Sequence, residues 1–546
     1  MSAPETDIGI DPPETPHLIP PPPRELKLLV RDWRRGRATK RLGEALQDAY
    51  VAVIAALMLG AMVLNVILRA QRTVSGCTSG TCLSSRALLP FAAFTAAVAV
   101  ALAVSRLFGP VLASAAEGFW LLDAPISRFA MLRSRLVGIV LAATGGGAVI
   151  GGLVSALTGA GVHGVVAWAV ATGLSAAAAV AFAAAQQGIE RHRLTRVVSY
   201  GFGLSAVVAL LAVVGSAAGW VRLGISADRS LEVGLIMIGF SGLVLLVALV
   251  IAARRLRHIR RTRLTSGGAL VSGISGAFYA LDLGLARDIV VERHAQEVGH
   301  VTPVRGRSTG LEALTWREWQ RLRRFPQPLF VVLGTVVIPY AAEALGMAVI
   351  TPVFAALALF AAMIPLFGGL RVLTRTGGLA RCFPFSLVQI KIAVSTVPGI
   401  IAAVWAVLVA PAFFAFGNAD GRTFAEASTM AVATAAAGLL AGMRWTTAKG
   451  VDYAKPMVAT QAGALPPGLI ANLFRGFDIC LLVTAPMLLG FNPIWSLVIA
   501  AIAGMFLFNT TDLETMQARQ AEQRKLLEQQ RKQREATINH GKQGKR

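Results

Sequence analysis

The chain has 546 residues, of which 55% are hydrophobic and only 15% are charged, and its formal net charge is +23. A soluble domain carries about 25% charged residues, so this composition excludes an ordinary soluble protein. Apolar runs long enough to cross a bilayer recur along the sequence, and they must be helical because every backbone polar group in lipid needs an internal partner. We therefore predict an all-α polytopic membrane protein.

The N-terminal 23 residues are acidic and proline-rich, and we predict a disordered tail there without the apolar core of a secretory signal. The following stretch, 24–41, is basic with interspersed Leu and Trp. It fits either a helix along the inner leaflet or flanking charge that orients the first span. The bias to Ala, Gly and Arg resembles high-G+C bacteria and favours a bacterial plasma membrane.

Two sets of six apolar segments follow, and we predict about twelve transmembrane helices. The first set is placed at 49–68, 87–104, 136–158, 164–185, 197–217 and 233–253, and the second at 329–350, 353–370, 393–416, 424–443, 468–490 and 493–509. The predicted organisation is a first membrane unit at 24–253, a basic, Gly- and Ser-rich linker at 254–310, a second unit at 311–509, and a charged tail at 510–546. Within the linker, Phe278–Val291 is predicted to form a short amphipathic helix.

The positions of Lys and Arg predict the orientation, because these residues concentrate in cytoplasmic loops. With both termini cytoplasmic, 46 of the 52 Lys and Arg residues fall in segments assigned to the inner side. The positive charge is therefore an orientation signal with anionic lipid as its natural partner, and we expect no nucleic-acid partner.

Corresponding features in the two sets predict an internal duplication. A Trp-containing basic stretch precedes each set, at Leu28–Arg37 and Leu311–Arg324, and a mixed loop follows the second span of each, at Glu117–Arg135 and Leu370–Lys391. We interpret both mixed loops as cytoplasmic elements, the first with a short interfacial helix.

Cys77 and Cys82 lie in the predicted outer loop between the first two spans. An oxidising compartment favours a disulfide between them. Free thiols and a metal-binding pair are the alternatives, although two cysteines without histidine make a poor zinc site.

Catalytic motifs are absent from the sequence. It contains no GxxxxGK[ST], HExxH, CxxC or GxSxG pattern, so we expect no catalytic residue, metal or cofactor, and any energy for work must come from elsewhere. Few charged residues fall in spans. Glu343 marks either an ion path or a side chain reaching the outer headgroups, and Arg475 and Asp478 share a helical face on which they form either a structural pair or part of such a path.

The surface helices and mixed loops resemble those of the membrane subunits of ABC-2 type exporters. WLLDAPISRFAMLRSRL at 120–136 is similar to the loop after their second span. The whole chain is also similar to an uncharacterised family of actinobacterial twelve-span proteins regarded as permease-like. The resemblance implies two six-helix units whose cytoplasmic loops dock on ATPase subunits. It assigns that contact to Trp120, Asp123, Pro125, Arg128 and Arg133 in the first unit and to Arg375, Arg381 and Pro384 in the second. The second loop lacks the Asp-x-Pro step.

The resemblance implies a permease subunit of an exporter, energised by separate ATPase subunits in two copies, with a substrate that the sequence does not identify. An ion-coupled carrier using Glu343 and the Arg475–Asp478 pair is one alternative. A non-transporting membrane scaffold or assembly protein is the other. The alternative to docking is that the arginines of these loops only bind the loops to lipid.

Overall fold

A computed structural model describes residues 80–120, 127–189, 192–217, 227–280, 282–344, 347–376, 382–415, 422–448 and 474–508, with two short strands and a few isolated positions elsewhere. Nearly all of these residues are helical. The helices before the middle of the chain are α1 (Gly80–Phe108), α2 (Ala115–Trp120), α3 (Arg128–Leu157), α4 (Val162–Gln187), α5 (His192–Ala217), α6 (Ala227–Arg255), α7 (Arg261–Tyr279) and α8 (Leu283–Val298).

The remaining helices are α9 (Leu311–Arg324), α10 (Gln327–Thr335), α11 (Val337–Ala344), α12 (Thr351–Met363), α13 (Gly368–Arg375), α14 (Leu387–Ala415), α15 (Phe424–Thr447), α16 (Phe477–Leu488) and α17 (Ile494–Phe508). Turns of 3₁₀-helix follow α6 at Leu256–His258 and α12 at Ile364–Phe367. Two strands, β1 (Val458–Thr460) and β2 (Gly463–Leu465), pair antiparallel.

Eight helical segments among the described residues are long and apolar enough to cross a membrane. They are Leu83–Phe108, Arg128–Leu157, Val162–Gln187, Arg193–Ser216, Asp228–His258, Thr351–Thr374, Leu387–Phe414 and Phe424–Thr447. The chain is thus a multi-pass helical membrane protein, and the predicted fold class is confirmed at that level.

The twelve predicted spans and their division into two six-helix units are not confirmed. The first predicted span, 49–68, lies almost entirely outside the described residues. The segment predicted at 329–350 forms the helices within Gln327–Glu343, which bend by 84° from α9. The last two predicted spans are the short helices α16 and α17. At 1.5 Å per residue these are about 18 and 22 Å long, against a hydrocarbon core of about 30 Å.

In the first group of helices, α1 and α3 to α6, the central helix α4 contacts α1, α3 and α6, and α5 packs mainly on α1. Most of the buried residues of α4 are alanines. Small side chains let neighbouring backbones approach closely: a Cβ added at Gly147 would lie 2.7 Å from the carbonyl oxygen of Thr172. Such backbone contact is typical of helices that associate in lipid.

The second group, α12 to α17, packs around α15, which contacts α12, α14 and α16. Its core contains larger side chains, among them the fully buried Phe367, Trp405 and Phe413. Trp405 donates its indole N–H to the hydroxyl of Thr335 at 3.0 Å, so the only polar atom of this buried ring is satisfied. The two groups meet where α5 contacts α11, and Gln327 donates to the Tyr200 hydroxyl nearby at 3.2 Å.

Successive spans run antiparallel, so the connecting segments alternate between the two ends of the bundle. Of the described connecting residues, one end carries 109–120, 127, 188–189, 256–280, 282–310, 376 and 382–386. We call it the arginine-rich end, because it holds most of the arginines that lie between spans. The other end carries 158–161 and Arg422.

The predicted linker between the two groups is helical at this end. One helix of this segment ends at Tyr279 and the next begins at Leu283. The Asp282 carboxylate accepts a hydrogen bond from the Leu285 N–H at 3.0 Å and so caps α8. The predicted helix at Phe278–Val291 is therefore wrong in its bounds: residues 261–279 and 283–298 form two helices, α7 and α8, that pack on each other.

Candidate functional site at the arginine-rich end

The loop between α1 and α3 contains the short helix α2, which a capping box starts. Ser114 and Glu117 are spaced as this motif requires. The Ser114 hydroxyl accepts from the Glu117 N–H at 3.2 Å, and the Glu117 carboxylate accepts from the Ser114 N–H at 2.9 Å. Glu117 also pairs with Arg135 of α3 at 2.6 Å, and Arg135 donates to the carbonyl of Leu112. These contacts hold the loop against the first turns of α3.

The electrostatics of Glu117 reflect these partners. Burial raises its pKa, but hydrogen bonds from Arg135 and from the Ser114 backbone, together with the Arg135 charge, outweigh burial and bring the pKa down to about 2. Glu117 is therefore a carboxylate at any physiological pH.

Helix α7 covers part of this loop. The Ala113 N–H donates to the carbonyl of Leu264 at 3.1 Å. Gly267 and Gly268 leave no room for a Cβ, because the carbonyls of Phe108 and Ala113 lie against them. Gly118 of α2 is buried, and a Cβ added there would lie 3.6 Å from the Thr265 Cβ. Loop and helix thus touch backbone to backbone.

Helix α8 makes the corresponding contact with the second group. Arg371 of α13 pairs with Asp288 and also donates to the carbonyl of Gly284 at 3.0 Å. From α8, Arg287 donates to the carbonyl of Ile364 at 2.9 Å. Each side of this contact therefore supplies an arginine donor: Arg287 from α8 and Arg371 from the end of the span Thr351–Thr374.

An aromatic ring lies at the centre of this contact. The guanidinium groups of Arg287 and Arg371 lie 5.5 and 5.7 Å from the centroid of the Trp445 ring, within the range of a cation–π interaction. Next to it, Arg444 pairs with Asp478 at 2.6 Å. Helix α8 therefore contacts a cluster that joins the ends of three helices, α13, α15 and α16.

Helices α7 and α8 thus form one hairpin, here called the 261–298 hairpin, with α7 on the loop between α1 and α3 and α8 on the end of the span Thr351–Thr374. The arms contact each other where Gly273 faces Ile289. Helix α7 contacts the loop before α3 and helix α8 contacts the end of α13, so the hairpin bridges the two helix groups. The prediction of a linker at 254–310 did not include these contacts. The paired Gly267 and Gly268 were the available signal for a close helix contact.

Comparison with known protein families matches residues 82–456 to a family of unknown function, DUF6297. This match covers more than half of the chain. The chain belongs to that family. No curated protein and no solved structure matches. In this DUF6297 chain the matched region begins within α1 and ends after α15, so it includes the whole 261–298 hairpin and both segments that the hairpin contacts.

The residues predicted to form the first docking contact lie around the end of α2 and the start of α3. Trp120 is 73% exposed at the end of α2, next to Phe119, which is 60% exposed. Arg128 and Arg133 are in the first two turns of α3, and Arg133 is exposed. Asp123 and Pro125 lie outside the described residues.

The second predicted set is more dispersed. Arg375 is the last residue of α13, and Pro384 is exposed just before α14. Arg381 lies outside the described residues. Arg371 and Asp288, which make the contact with the hairpin, were not singled out from the sequence. Of the two outer-loop cysteines, Cys82 is in the first turn of α1 and Cys77 precedes the described residues, so their disulfide stays a prediction.

The predicted polar residues of the spans lie at both ends of the bundle. Glu343 is 2% exposed and pairs with Arg422 at 3.5 Å at the end opposite the hairpin. Asp478 pairs with Arg444 and accepts from the Gly476 N–H at 2.8 Å at the start of α16. The pKa of Arg475 is lowered by burial and by the nearby Arg444 charge, and the Asp478 and Asp282 carboxylates offset only part of this. Among the described residues no group of three or more His, Cys, Asp and Glu side chains could hold a metal ion.

Proposed function

We propose that this chain is the membrane subunit of an export system and that a separate ATPase docks on its arginine-rich end. The observation that carries the proposal is the 261–298 hairpin, which contacts a loop of the first helix group and the end of a span of the second. A transporter driven from outside needs a part that receives force and a part that distributes it to both sides of the substrate path. The exposed loop residues supply the first, and the hairpin supplies the second.

The docking surface would be centred on Phe119 and Trp120, whose rings make an edge-on contact with centroids 5.1 Å apart. Exposed aromatic pairs of this kind are frequent anchors in protein interfaces. Arg261 of the hairpin lies 5.8 Å from the Phe119 ring centroid, so a partner seated here contacts loop and hairpin together. The exposed Arg133 favours an acidic patch on the partner.

Force would then pass through ion pairs and hydrogen bonds between named residues. Movement of α2 acts on α3 through the Glu117–Arg135 pair and on α7 through the Ala113–Leu264 hydrogen bond. The hairpin transfers it through Asp288 and Arg371 to α13. We place the arginine-rich end and both termini in the cytoplasm of a bacterial cell, on the distribution of Lys and Arg, and ATP is available on that side.

The test is site-specific photo-crosslinking in cells. Trp120→p-benzoylphenylalanine should capture a protein that carries a GxxxxGK[ST] nucleotide-binding motif. The same replacement of Trp220, which is 76% exposed towards the opposite end, is the matched control and should not. With the purified pair, Trp120→Ala with Arg133→Glu should lower stimulated ATP hydrolysis at least about tenfold. Capture of lipid alone at position 120, with no ATPase among the products, would overturn the proposal.

One observation favours a second candidate, an ion-coupled carrier. Glu343 is a buried carboxylate within an apolar helix, a position that often belongs to an ion path. Its pairing with Arg422 gives it a structural role as well. If Glu343 carries a coupling ion, Glu343→Gln abolishes transport while the protein stays folded. A purely structural pair instead loses stability, and transport by the remaining folded protein continues.

A further inference from the structure

Helix α9 is positioned to lie along the membrane surface. It makes an angle of 84° with the apolar segment Gln327–Glu343 that follows it, so if the latter enters the bilayer, α9 runs parallel to its plane. One side of α9 is fixed to the bundle through the buried Leu314 and Leu322 and through Thr315, which donates to the carbonyl of Ala393 at 3.0 Å. Its other side faces away from this contact.

A groove of about 880 Å³ runs along that other side. The extended segment before α9 folds back beside the helix and forms the second wall. Gln320 donates to the carbonyl of Arg305 at 3.2 Å, and Arg324 donates to that of Thr302. Across the groove, the Arg307 guanidinium lies 5.6 Å from the centroid of the Trp316 ring. The helix and the segment are therefore held together by contacts at both ends of the groove.

The lining of this groove is strongly basic. It contains five arginines and no acidic residue: Arg307, Arg317, Arg321, Arg323 and Arg324. Glu318 offsets only one of these charges, because it is buried on the bundle side of α9, where it pairs with Arg321 at 2.8 Å. The apolar part of the lining consists of Val304, Ala313, Trp316 and Phe325. The groove thus combines a concentrated positive charge with aromatic surface.

We infer that this groove binds the phosphate headgroup of an anionic phospholipid. Several guanidinium groups around one cavity match the geometry of a phosphate diester. The groove ends at Phe325, directly before the apolar α10, whose Phe330 is exposed. A lipid bound by its phosphate therefore has apolar protein surface for its acyl chains, which a free phosphate or an acidic peptide does not use. The inference is independent of the proposed ATPase partner.

The test is lipid retention by the purified full-length chain, measured by native mass spectrometry after exchange into mixed micelles of phosphatidylglycerol and phosphatidylcholine. The variant is Arg317→Gln with Arg323→Gln, two groove residues that are exposed. The matched control is Arg196→Gln with Arg254→Gln, two exposed arginines outside the groove. A parallel arm replaces the lipid with inorganic phosphate and follows Tm.

The unmodified chain and the control should retain phosphatidylglycerol in preference to phosphatidylcholine. The groove variant should bind phosphatidylglycerol about tenfold or more weakly, since it lacks two of the positive charges that attract the lipid phosphate. Equal retention by variant and control would overturn the inference, as would the absence of any preference in the unmodified chain. A groove-dependent rise in Tm with inorganic phosphate equal to that with lipid would also overturn it, because the site would then bind a free anion.

Discussion

The central helices of the two groups both pack closely on their neighbours, but through different kinds of atoms. In the first group the central helix α4 meets α3 backbone to backbone, and the glycines of α3 make that possible. In the second group glycines also occur on the central helix, but they receive side chains: Gly438 faces Leu359, and Gly442 faces Phe367 and Met363. The glycines of α3 in the first group contact backbone atoms of the neighbouring helix, whereas those of α15 in the second group contact side chains of their neighbours.

This difference predicts different mechanical behaviour. A backbone contact has no rotamer that can adjust, so α3 and α4 should move as one unit. The Leu359 Cγ and Cδ2 atoms and the Phe367 ring can move by rotamer changes, so α15 can shift against its neighbours with smaller penalties. Force that reaches the hairpin would then be transmitted by a stiff first group and absorbed by an adaptable second group.

The largest expected effect comes from filling a backbone contact in the first group. In Gly151→Leu the new Cβ would lie 2.5 Å from the carbonyl oxygen of Trp168, so α3 and α4 must separate. We expect a loss of about 3 kcal/mol or more, visible as a lower Tm in detergent. Gly145→Leu on the same helix is the control, because nothing lies within 4 Å of a Cβ there.

The matching substitution in the second group is Gly438→Ala, whose Cβ would meet the Leu359 side chain at 2.9 Å. A rotamer change can move the Leu359 Cγ and Cδ2 away, whereas its Cβ can move only with α12. We therefore expect a loss of about 2 kcal/mol, below that of Gly151→Ala measured in parallel. If the two alanine variants lose the same stability, the distinction between glycines that contact backbone and glycines that contact side chains is wrong.

Next in size is the link between the hairpin and the second group. Arg371→Gln removes the partner of Asp288 and a donor to Gly284. Because the Arg371 side chain is nearly buried and that of Asp288 is about one-third exposed, we expect a loss of about 2 kcal/mol. Hydrogen exchange should increase in 283–298 and stay unchanged in 261–279. Increased exchange along the whole hairpin would show that its two arms are not separately anchored.

Glu117→Gln tests the corresponding link on the first group and should have a smaller effect, about 1 kcal/mol. The pKa of Glu117 is lowered to about 2 from 4.5, so its contribution is present above about pH 4.5 and disappears as the pH falls towards 2. Unmodified chain and variant should therefore differ in Tm at pH 7 and converge only as the pH falls to about 2. A difference that persists at low pH would assign the effect to packing.

The smallest expected effect is at the junction of the two groups. Tyr200→Phe removes the hydroxyl that accepts from Gln327, a largely exposed contact. We expect a loss of about 0.5 kcal/mol or less in thermal unfolding. A loss of more than about 1.5 kcal/mol would mean that the two groups depend on this junction far more than the contact itself suggests.

Local patterns of the sequence predicted much of this fold. The apolar run at 164–185 gave α4 within two residues at each end, and the Trp- and Arg-rich stretch Leu311–Arg324 forms a helix with those bounds. Both depend on neighbours along the chain. The span at 468–490 was overestimated, since α16 begins only after Gly476, which has a φ of +88°. The segment 493–509 matches α17 within one residue at each end, but that helix is short for a span.

The site was less predictable, because its contacts join residues that are distant along the chain. Arg371 and Asp288 are 83 positions apart, and Arg422 and Glu343 are 79 positions apart. No periodicity links such pairs. Trp120 could be singled out because it stands in a mixed loop, but nothing local indicated that Trp445 would lie beneath two arginines. Sequence patterns identified the exposed part of the arginine-rich end and missed the hairpin contacts behind it.

The most direct test of the hairpin as the link between the two groups is a disulfide between α2 and α7. In a background with the native cysteines replaced, Gly118→Cys with Thr265→Cys places two Cβ atoms about 3.6 Å apart, within the range for a disulfide. Mild oxidation should join the two peptides in a mass spectrum of the digested protein, with little change in Tm. Two thiols that remain free and react independently with maleimide would contradict the contact between the hairpin and the first loop.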